Sequence, residues 1–328
     1  MTRILSYNIL VGGIGRIDAI ERMIKTVNPD IVGLIEATNP DIVEELAGRL
    51  NMEYRTNAPS DGSWKGSLAL LSRIPILHSE VHVRTSLRAR SLLEVSLREE
   101  HGERLTVFVT HLIAEFSRGR GGDGPRREEV REILHIMRTN HGPHVLVGDF
   151  NALAPGDTLK ASNLLRYLVD LDARYSSNPR GRHGHPSLNY VMPPKLRFIN
   201  PLLRTIARFP PLGILLDEAG SLYAPRGSIR LLREAGYVDC FRYVNPRAWG
   251  FTCPAAAPAG RIDYLFANPL LATRLSACKV VKGDEQSTAL QASDHLPIVA
   301  DFGTDVATTF PVLLDSSVEA SKTAEEAR

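Results

Sequence analysis

The sequence has few cysteines, no long apolar run and little net charge. Its three cysteines, Cys240, Cys253 and Cys278, are an odd number without the spacing of a metal-binding motif. They exclude a disulfide framework as the basis of the fold and predict reduced thiols in a cytoplasmic protein. No apolar run reaches the ~18 residues that a membrane span needs, and the N-terminus lacks the features of a signal peptide, so we expect no transmembrane segment.

The balance of charges and the length restrict the class of protein further. A formal net charge of +2 over 328 residues does not by itself favour a nucleic acid partner. Hydrophobic content of 43% and charged content of 23% are typical of a globular protein. Because the chain is longer than most single domains, we expect one catalytic domain over residues 1–303, with an insertion at about 157–227. Residues 304–328 are small and polar, which predicts a disordered tail.

Eight short apolar runs have the composition of buried β-strands. They are RILSYNI, DIVGLIEA, SLALLSR, SLLEVSL, RLTVFVTHL, HVLVGDF, RIDYLFA and HLPIVADF. Between them, apolar residues at helical spacing predict helices over residues 18–27, 39–50, 125–138 and 228–242, with Asn39 and Ser228 as N-caps. Strands in close succession with flanking helices indicate two sheets covered by helices.

Polar side chains stand at the ends of several of these strands. In HVLVGDFNA, Asp149 and Asn151 are two residues apart and therefore point to the same side of an extended chain. Taken alone, the pair is equally well explained as turn residues, since Asp and Asn favour turns. Five other strands also carry an acid, an amide or an imidazole at a terminus, namely Asn8, Glu36, His111, Asp263 and the pair Asp294–His295. We therefore expect these groups to collect at one rim of two packed sheets.

The types of side chain at these strand ends indicate the chemistry. Carboxylates of Glu36 and Asp294 and the amide oxygen of Asn8 suit Mg²⁺ or Mn²⁺ better than zinc. Histidines beside carboxylates can donate to a phosphate oxygen or protonate a leaving group. Together they predict metal-assisted attack of water on a phosphorus centre. Structural roles stay open for Asn8 as a turn residue, for His111 as a core histidine and for Asp263 as a structural carboxylate.

Seven motifs in a fixed order carry a resemblance to a known family. They are SYN, IVGLIEA, ALLSRIPI, VTHL, GDFNA, RIDYLF and SDHLPI, over about residues 3–156 and 228–303. In this order they resemble the endonuclease/exonuclease/phosphatase superfamily, which contains deoxyribonuclease I-like and sphingomyelinase-like hydrolases. The resemblance implies an α/β fold, a four-layer α/β/β/α sandwich of two packed, mainly antiparallel sheets.

The resemblance also implies roles for the metal-binding and water-activating residues. Glu36 would be the principal metal ligand, helped by Asn8, and Asp294 would bind the metal directly or through water. Asp149 would position or deprotonate the attacking water. Asn151 would hold that nucleophile or a phosphoryl oxygen.

The same resemblance implies roles for the two histidines. His295 would contact the scissile phosphate, with Asp263 orienting its ring, and His111 would bind a phosphate oxygen. Two departures argue against the branch of apurinic repair endonucleases. Leu10 stands where those enzymes usually carry an acid or amide, and His111 stands where they place Tyr.

The insertion supplies the remaining clue about the substrate. Between Arg174 and Arg208 the sequence holds seven basic residues and no acidic one, and Asn200–Leu216 is strongly apolar. We expect this segment to overhang the site, as a lid over an anionic substrate, as a membrane-surface helix or as a helix packed on the core. His183 and His185 in GRHGHP are metal ligands by type, although histidines in surface loops are more common.

Three functions follow for this sequence. The first is a Mg²⁺- or Mn²⁺-dependent hydrolase of a small or lipid-derived phosphate ester, either a diester or a monoester, with peripheral membrane contact through residues 174–216. The second is a nuclease acting on DNA or RNA. The third is a catalytically silent binding module of the same fold, which the complete set of polar residues argues against.

Overall fold

The structure is a computed structural model that describes residues 1–56, 67–83, 91–100, 102–114, 122–177, 185–192, 194–206, 209–283 and 289–304. Within these ranges, twelve strands form two six-stranded sheets. The expected tail beyond Thr304 and the candidate ligand His183 lie outside the described residues.

The first sheet contains both the N-terminal strand and the last strand of the fold. Its strands are β1 (Thr2–Asn8), β2 (Ile31–Ile35), β3 (Glu53–Thr56), β4 (Leu68–Ser72), β11 (Leu275–Val280) and β12 (Ile298–Phe302). They lie in the order β11-β12-β1-β2-β4-β3, and only β1 and β2 run parallel.

The second sheet is built from the middle of the chain in a similar way. Its strands are β5 (Ile76–Val83), β6 (Ser91–Arg98), β7 (Arg104–His111), β8 (His144–Asp149), β9 (Val238–Asp239) and β10 (Asp263–Ala267). They lie in the order β5-β6-β7-β8-β10-β9, and only β7 and β8 run parallel. Each sheet therefore has one parallel pair near its middle.

Helices cover the outer face of each sheet. Helices α1 (Ile17–Val27) and α2 (Pro40–Leu50) pack on the first sheet, while α3 (Asp123–Met137) and α8 (Gly227–Glu234) pack on the second. A third apolar core lies between the sheets. This is the expected four-layer α/β/β/α sandwich of mainly antiparallel sheets, and its side chains alternate between the cores because successive strand residues face opposite ways.

One glycine sets how closely the two sheets approach each other. A Cβ atom on Gly33 of β2 would lie 2.7 Å from Val147 Cγ2 of β8, which is too close for a real contact. The absence of a side chain at this position lets the two parallel pairs come together.

All eight predicted strands are confirmed, and four strands were not predicted. The missed strands β3, β5, β9 and β11 are the four edge strands of the two sheets. Edge strands are exposed on one or both faces, as in the largely exposed β5, so they lack the continuous apolar run that identifies a buried strand.

The predicted helix over residues 228–242 is confirmed only as far as Glu234. Helix α8 ends at Glu234, because Gly236 adopts a left-handed conformation (φ 89°) that stops the helix. After β9, a separate short helix α9 (Cys240–Val244) begins with Asp239, whose carboxylate accepts the Arg242 amide at 3.1 Å. Ser228 is not an N-cap, since α8 begins at Gly227 without a side-chain cap.

The other predicted helices are confirmed as α1, α2 and α3 within one or two residues. Asn39 caps α2 as expected, since its side chain accepts hydrogen bonds from Asp41 N and Ile42 N. The predicted strand HLPIVADF begins too early, because β12 starts only at Ile298 and His295 lies in the turn before it.

Residues 157–227, which we call the inserted segment, are mostly helical in their described part. They contain α4 (Ala161–Arg174), α5 (Leu188–Val191), a 3₁₀ helix (Pro194–Ile199), α6 (Asn200–Ile206) and α7 (Pro210–Tyr223). Leu165, Leu168, Val169 and Leu188 form a small core of their own within it. Two further short helices, α10 (Pro269–Ala272) and α11 (Ala289–Ala292), and a 3₁₀ helix over Val11–Gly13 complete the described elements. No helix in the described part of the chain is long and apolar enough to cross a membrane.

Candidate active site

The ends of the two parallel strand pairs meet at one rim of the sandwich. In the first sheet Asn8 is level with Ile35, and in the second Asp149 is level with both His111 and Asp263. Asn8 Nδ2 donates to Asp149 Oδ2 at 3.1 Å, and this buried hydrogen bond joins the two sheets. The rim therefore brings together residues that are 141 positions apart in the sequence.

Asn8 and Glu36 form hydrogen bonds with each other and with the backbone of the loop that follows β1. Asn8 Nδ2 also donates to Glu36 Oε1 at 3.2 Å, while its Oδ1 accepts Leu10 N at 3.0 Å. Glu36 Oε2 accepts Val11 N at 2.8 Å. Leu10 and Val11 both have positive φ angles, of 50° and 45°. Such strained backbone persists where the surroundings enforce it, which is common at functional sites.

Asp149 is the buried centre of the site. Its Oδ1 accepts Asn151 N at 2.9 Å, and its Oδ2 lies 3.6 Å from His111 Nε2. Burial, together with the negative charges of Asp263 and Glu36, raises the pKa of Asp149 to about 7, although His295 acts in the opposite direction. A carboxylate with a pKa near neutrality is suited to accept a proton at physiological pH.

Only glycine fits at position 148, immediately before Asp149. Gly148 has a φ of 154°, and a Cβ atom there would lie 2.0 Å from Thr110 O on the neighbouring strand. Gly148 therefore lets β8 lie against β7 at the point where Asp149 enters the site.

His295 faces Asp149 and is fixed by Asp263 behind it. His295 Nδ1 lies 2.9 Å and 3.2 Å from the two carboxylate oxygens of Asp263, and Nε2 lies 3.8 Å from Asp149 Oδ2. Burial lowers the pKa of His295, but the negative charges of Asp263 and Asp149 outweigh this effect and the net pKa is raised. The geometry therefore orients the ring and favours its protonated form.

Ser293 connects this histidine to the first sheet, and sequence reasoning missed it. Its Oγ accepts His295 N at 3.1 Å and donates to the backbone oxygen of Asn8 at 2.6 Å. A serine two residues before a functional histidine carries no distinctive signal, so only the tertiary contact identifies it.

Asp294 lies beside His295 and has one unsatisfied oxygen. Its Oδ1 is buried without a hydrogen bond and lies 4.0 Å from His295 Nε2. A buried carboxylate oxygen without a partner is costly, and a bound cation would satisfy it. Asp149, Asp263 and His295 also present ligand atoms within 4.8 Å of one another, but Asp263 is already engaged with the imidazole.

Asn151 is held by a chain of contacts that leads to helix α3. Its Nδ2 donates to Leu112 O at 2.9 Å, and Asn151 itself has a positive φ of 48°. Ile113, which follows Leu112, donates its N–H to Glu129 Oε2 at 3.0 Å, and its backbone oxygen accepts from Arg126 Nη1 at 3.0 Å. Arg126 and Glu129 are fully buried, so this pair positions the segment that follows His111. The sequence could have indicated this role, because Arg126 and Glu129 are two charged residues three apart on the inner side of a predicted helix.

The inserted segment reaches the site through Tyr167 and His185. Tyr167 Oη lies 3.4 Å from His185 Nδ1, which lies 3.8 Å from Asp294 Oδ2. Burial and the nearby charge of Asp294 raise the pKa of Tyr167. His185 was considered as a ligand by type alone, whereas Tyr167 was not identified from the sequence.

A buried arginine ties the base of the inserted segment to strand β10. Arg261 donates through Nε to Asp157 at 2.8 Å and through both terminal nitrogens to Asp239 at 2.7 Å. Because Arg261 lies two residues before Asp263, this ion-pair network supports the backbone that presents Asp263 to His295.

Comparisons with known proteins agree with this architecture. The sequence matches the Endonuclease/Exonuclease/phosphatase family over residues 5–295. Among curated proteins no relative matches the chain. Similar solved structures include an AP endonuclease from Archaeoglobus fulgidus, which has 16% identity and a TM-score of 0.59 and covers 92% of this chain and 99% of that chain.

Two further structures share the fold at similar levels. A 3'-5' exonuclease from Neisseria meningitidis has 17% identity and a TM-score of 0.59 over 92% of this chain and 100% of its own. An endonuclease/exonuclease/phosphatase from Beutenbergia cavernae has 20% identity and a TM-score of 0.55 over 92% of this chain and 72% of its own. At these identities the structures support the fold, and the match over nearly the whole sequence supports the family. The chain therefore belongs to the Endonuclease/Exonuclease/phosphatase family, whose members hydrolyse phosphate esters.

Proposed function

We propose that this protein is a divalent-metal-dependent phosphoesterase that hydrolyses a phosphate ester with an activated water molecule. The observation that carries the proposal is the buried carboxylate of Asp149, whose pKa is raised to about 7 and which faces the His295–Asp263 pair. A proton acceptor beside a held imidazolium is suited to the hydrolysis of a phosphate ester.

The residues at the rim fit a hard divalent cation. Glu36 and Asp294 would supply carboxylate oxygens, which suits Mg²⁺ or Mn²⁺. Asn8 was expected to add its amide oxygen, but that oxygen accepts Leu10 N while Nδ2 faces Glu36 and Asp149, so Asn8 would position Glu36. The buried Oδ1 of Asp294 has no hydrogen bond, as expected of an oxygen that is intended for a cation. A bound cation of this kind neutralises phosphoryl charge and lowers the pKa of water.

Asp149 accepts the proton of the attacking water in this proposal. Its Oδ1 is held by Asn151 N and its Oδ2 by Asn8 Nδ2, so the carboxylate has a fixed orientation. Because its pKa is raised, the ionised carboxylate of Asp149 is a stronger proton acceptor than an ordinary aspartate.

The two histidines stabilise the phosphoryl group. His295 donates from Nε2, because its Nδ1 proton is held by Asp263. His111 lies on the other side of Asp149 and donates to a second phosphoryl oxygen. Donors that are already in place before the reaction stabilise developing charge without reorganisation.

A nuclease remains the second candidate. Two of the similar structures are an AP endonuclease and a 3'-5' exonuclease, but their identity with this chain is 16% and 17%. The formal net charge of +2 gives nucleic acid binding little support. A silent binding module is less well supported still, because every expected polar group is present at the rim.

A substrate panel tests the proposal. The purified protein is assayed with bis-p-nitrophenyl phosphate, p-nitrophenyl phosphate, and single-stranded and abasic DNA, with Mg²⁺ or Mn²⁺ and with EDTA, and Asp149→Asn serves as the blank. We expect metal-dependent hydrolysis of a p-nitrophenyl ester. Full activity in EDTA would contradict the metal requirement, and hydrolysis of DNA alone would favour the nuclease. Inactivity towards all substrates would support the silent module.

A further inference from the structure

Helix α7 turns its small and polar residues towards the protein. Gly213, Asp217, Gly220 and Ser221 follow helical spacing and lie on one side. Asp217 Oδ1 accepts Ser162 N at 2.9 Å, and Ser221 Oγ accepts Leu159 N at 3.0 Å. A Cβ atom on Gly220 would lie 2.6 Å from Ala161 Cβ, so the helix backbone packs directly against the start of α4.

The opposite side of α7 is apolar and faces solvent. Leu212, Leu215, Ala219 and Leu222 occupy this side at helical spacing and are exposed, with 68% of Leu215 and 73% of Leu222 accessible. A helix of a globular protein normally places its apolar stripe against the core. In α7, Leu216 packs on the small core of the inserted segment, but Leu212, Leu215 and Leu222 stay exposed. This exposed apolar side predicts a partner.

The neighbouring elements continue this apolar surface. Nine of the seventeen large apolar side chains that are exposed in the described part of the chain lie within residues 196–223. We define the apolar face by six of them, Leu196, Phe198, Leu202, Phe209, Leu215 and Leu222. Apolar residues scattered singly on a surface need no explanation, but such a concentration marks an interaction site.

Most of the charges beside the apolar face are positive, but Glu218 of α7 is exposed three residues after Leu215 and Arg204 pairs with Asp172 at 3.3 Å. Lys195, Arg197 and Arg204 are exposed next to Phe198 and Leu202, and no acidic residue occurs between positions 174 and 208. On α7, Asp217 lies on the inner side and pairs with Lys160 at 3.2 Å, so it does not oppose this positive charge. Basic and aromatic residues bordering an apolar helix face are the composition of an interfacial membrane helix.

We propose that the apolar face docks on the surface of an anionic lipid bilayer, with Lys195 and Arg197 contacting acidic headgroups. The segment that carries this face also carries Tyr167 and His185, which lead to Asp294 of the site. Docking would therefore engage the same segment that contacts the rim of the sandwich. If the proposed phosphoesterase function holds, this favours a phosphate ester that is held in or at a lipid surface.

Cosedimentation of the full chain with vesicles tests the docking. One set of vesicles contains phosphatidylcholine alone and a second also contains phosphatidylserine. We expect binding to the second set, and we expect the double variant Leu215→Ser/Leu222→Ser to weaken it by roughly a hundredfold, because burying each leucine contributes about a factor of ten. The double variant Lys195→Glu/Arg197→Glu should lose the preference for phosphatidylserine.

Matched controls separate docking from folding and from catalysis. Leu270→Ser, which changes a leucine exposed elsewhere in the fold, should leave vesicle binding unchanged, and circular dichroism should show that all variants fold. Hydrolysis of soluble bis-p-nitrophenyl phosphate by the leucine variant tests catalysis separately. Retained hydrolysis without vesicle binding by the native chain would overturn only the docking, whereas vesicle binding by an inactive native chain would overturn only the proposed function.

Two further outcomes would overturn the docking. The first is equal vesicle binding by the native chain and the Leu215→Ser/Leu222→Ser variant. The second is a dimer of the native chain, detected by light scattering without vesicles and lost in the leucine variant, which would assign the apolar face to a second copy of the chain.

Discussion

Helices α2 and α7 begin in the same way but face in opposite directions. Both start at a proline, and both carry leucines at helical spacing. In α2, Leu46 and Leu50 are buried against the first sheet. In α7, Leu215 and Leu222 face solvent, while glycines and Asp217 face the protein.

The difference arises from what each helix packs against. A sheet offers α2 a broad apolar surface, so its leucines are the residues that gain from contact. The start of α4 offers α7 backbone N–H groups and small side chains, which a polar and glycine-rich side satisfies better. The apolar sheet thus orients α2 with its leucines inwards. The neighbours of α7 instead leave the apolar side of that helix exposed and available to a partner.

The largest expected effect is a loss of kcat when Asp149 of the rim is changed, in contrast to Asp217 of the inserted segment. Asp149→Asn should lower kcat for phosphate-ester hydrolysis by roughly 10²–10⁴, because the variant cannot accept the proton of water. Asp217→Asn keeps the acceptor for Ser162 N and should leave kcat nearly unchanged. Steady-state kinetics on both variants measures this, and equal losses would show that the inserted segment is as important for the chemistry as the rim.

A second prediction tests how tightly the rim is built. Gly148→Ala should lower the free energy of unfolding by roughly 3 kcal/mol or more, because its methyl group would meet Thr110 O at a backbone φ that alanine avoids. Gly48→Ala in α2 is the matched control, since a Cβ atom there meets nothing within 4 Å. It should stabilise by about 0.5–1 kcal/mol. Chemical denaturation measures both, and a tolerated alanine at position 148 would refute the close approach.

A third prediction makes the same substitution on the two contrasting helices. Leu46→Ala should lower the free energy of unfolding by about 2–5 kcal/mol, because it opens a cavity in the core. Leu215→Ala should change it by less than about 0.5 kcal/mol, since that side chain is 68% exposed. Comparable destabilisation in urea titrations would show that α7 buries its leucines after all.

The smallest expected effect is a change in stability with pH that depends on the buried ion pair of Glu99 and Arg274 in the sandwich. Burial raises the pKa of Glu99, but hydrogen bonds from Arg274 and Thr2 outweigh it, so the net pKa lies below its ordinary value of 4.5. A depressed carboxyl pKa stabilises the folded state above pH 4.5, and this stabilisation is lost as pH falls through the folded-state pKa. Glu99→Gln should therefore cost about 2 kcal/mol at pH 7 and progressively less in acid.

Denaturation of the native chain and of Glu99→Gln across this pH range measures the difference. As a control, Glu45→Gln removes an exposed partner of Arg49 in α2 and should leave stability nearly unchanged at either pH. A difference for Glu99→Gln that stays constant with pH would contradict the ion-pair account.

The sequence by itself determined the buried strands, three of the four predicted helices and the family. These features depend on local patterns, since continuous apolar runs, caps such as Asn39 and polar strand ends act over a few residues. The edge strands β3, β5 and β11 lacked such a pattern. The side chains of β5 are largely exposed, and those of β3 and β11 alternate between exposed and at least partly buried. The interruption of the predicted helix at Gly236 was overlooked, although glycine is the usual residue at that position.

Only the tertiary structure decided which polar groups meet and which faces of the insertion remain exposed. The hydrogen bond between Asn8 and Asp149 joins two sheets, and the contact of Ile113 with Arg126 and Glu129 joins a strand end to a helix. Helical spacing predicts that α7 has an apolar side but not where that side points. Its direction depends on the neighbour that the chain provides, and that neighbour is fixed only when the whole fold has formed.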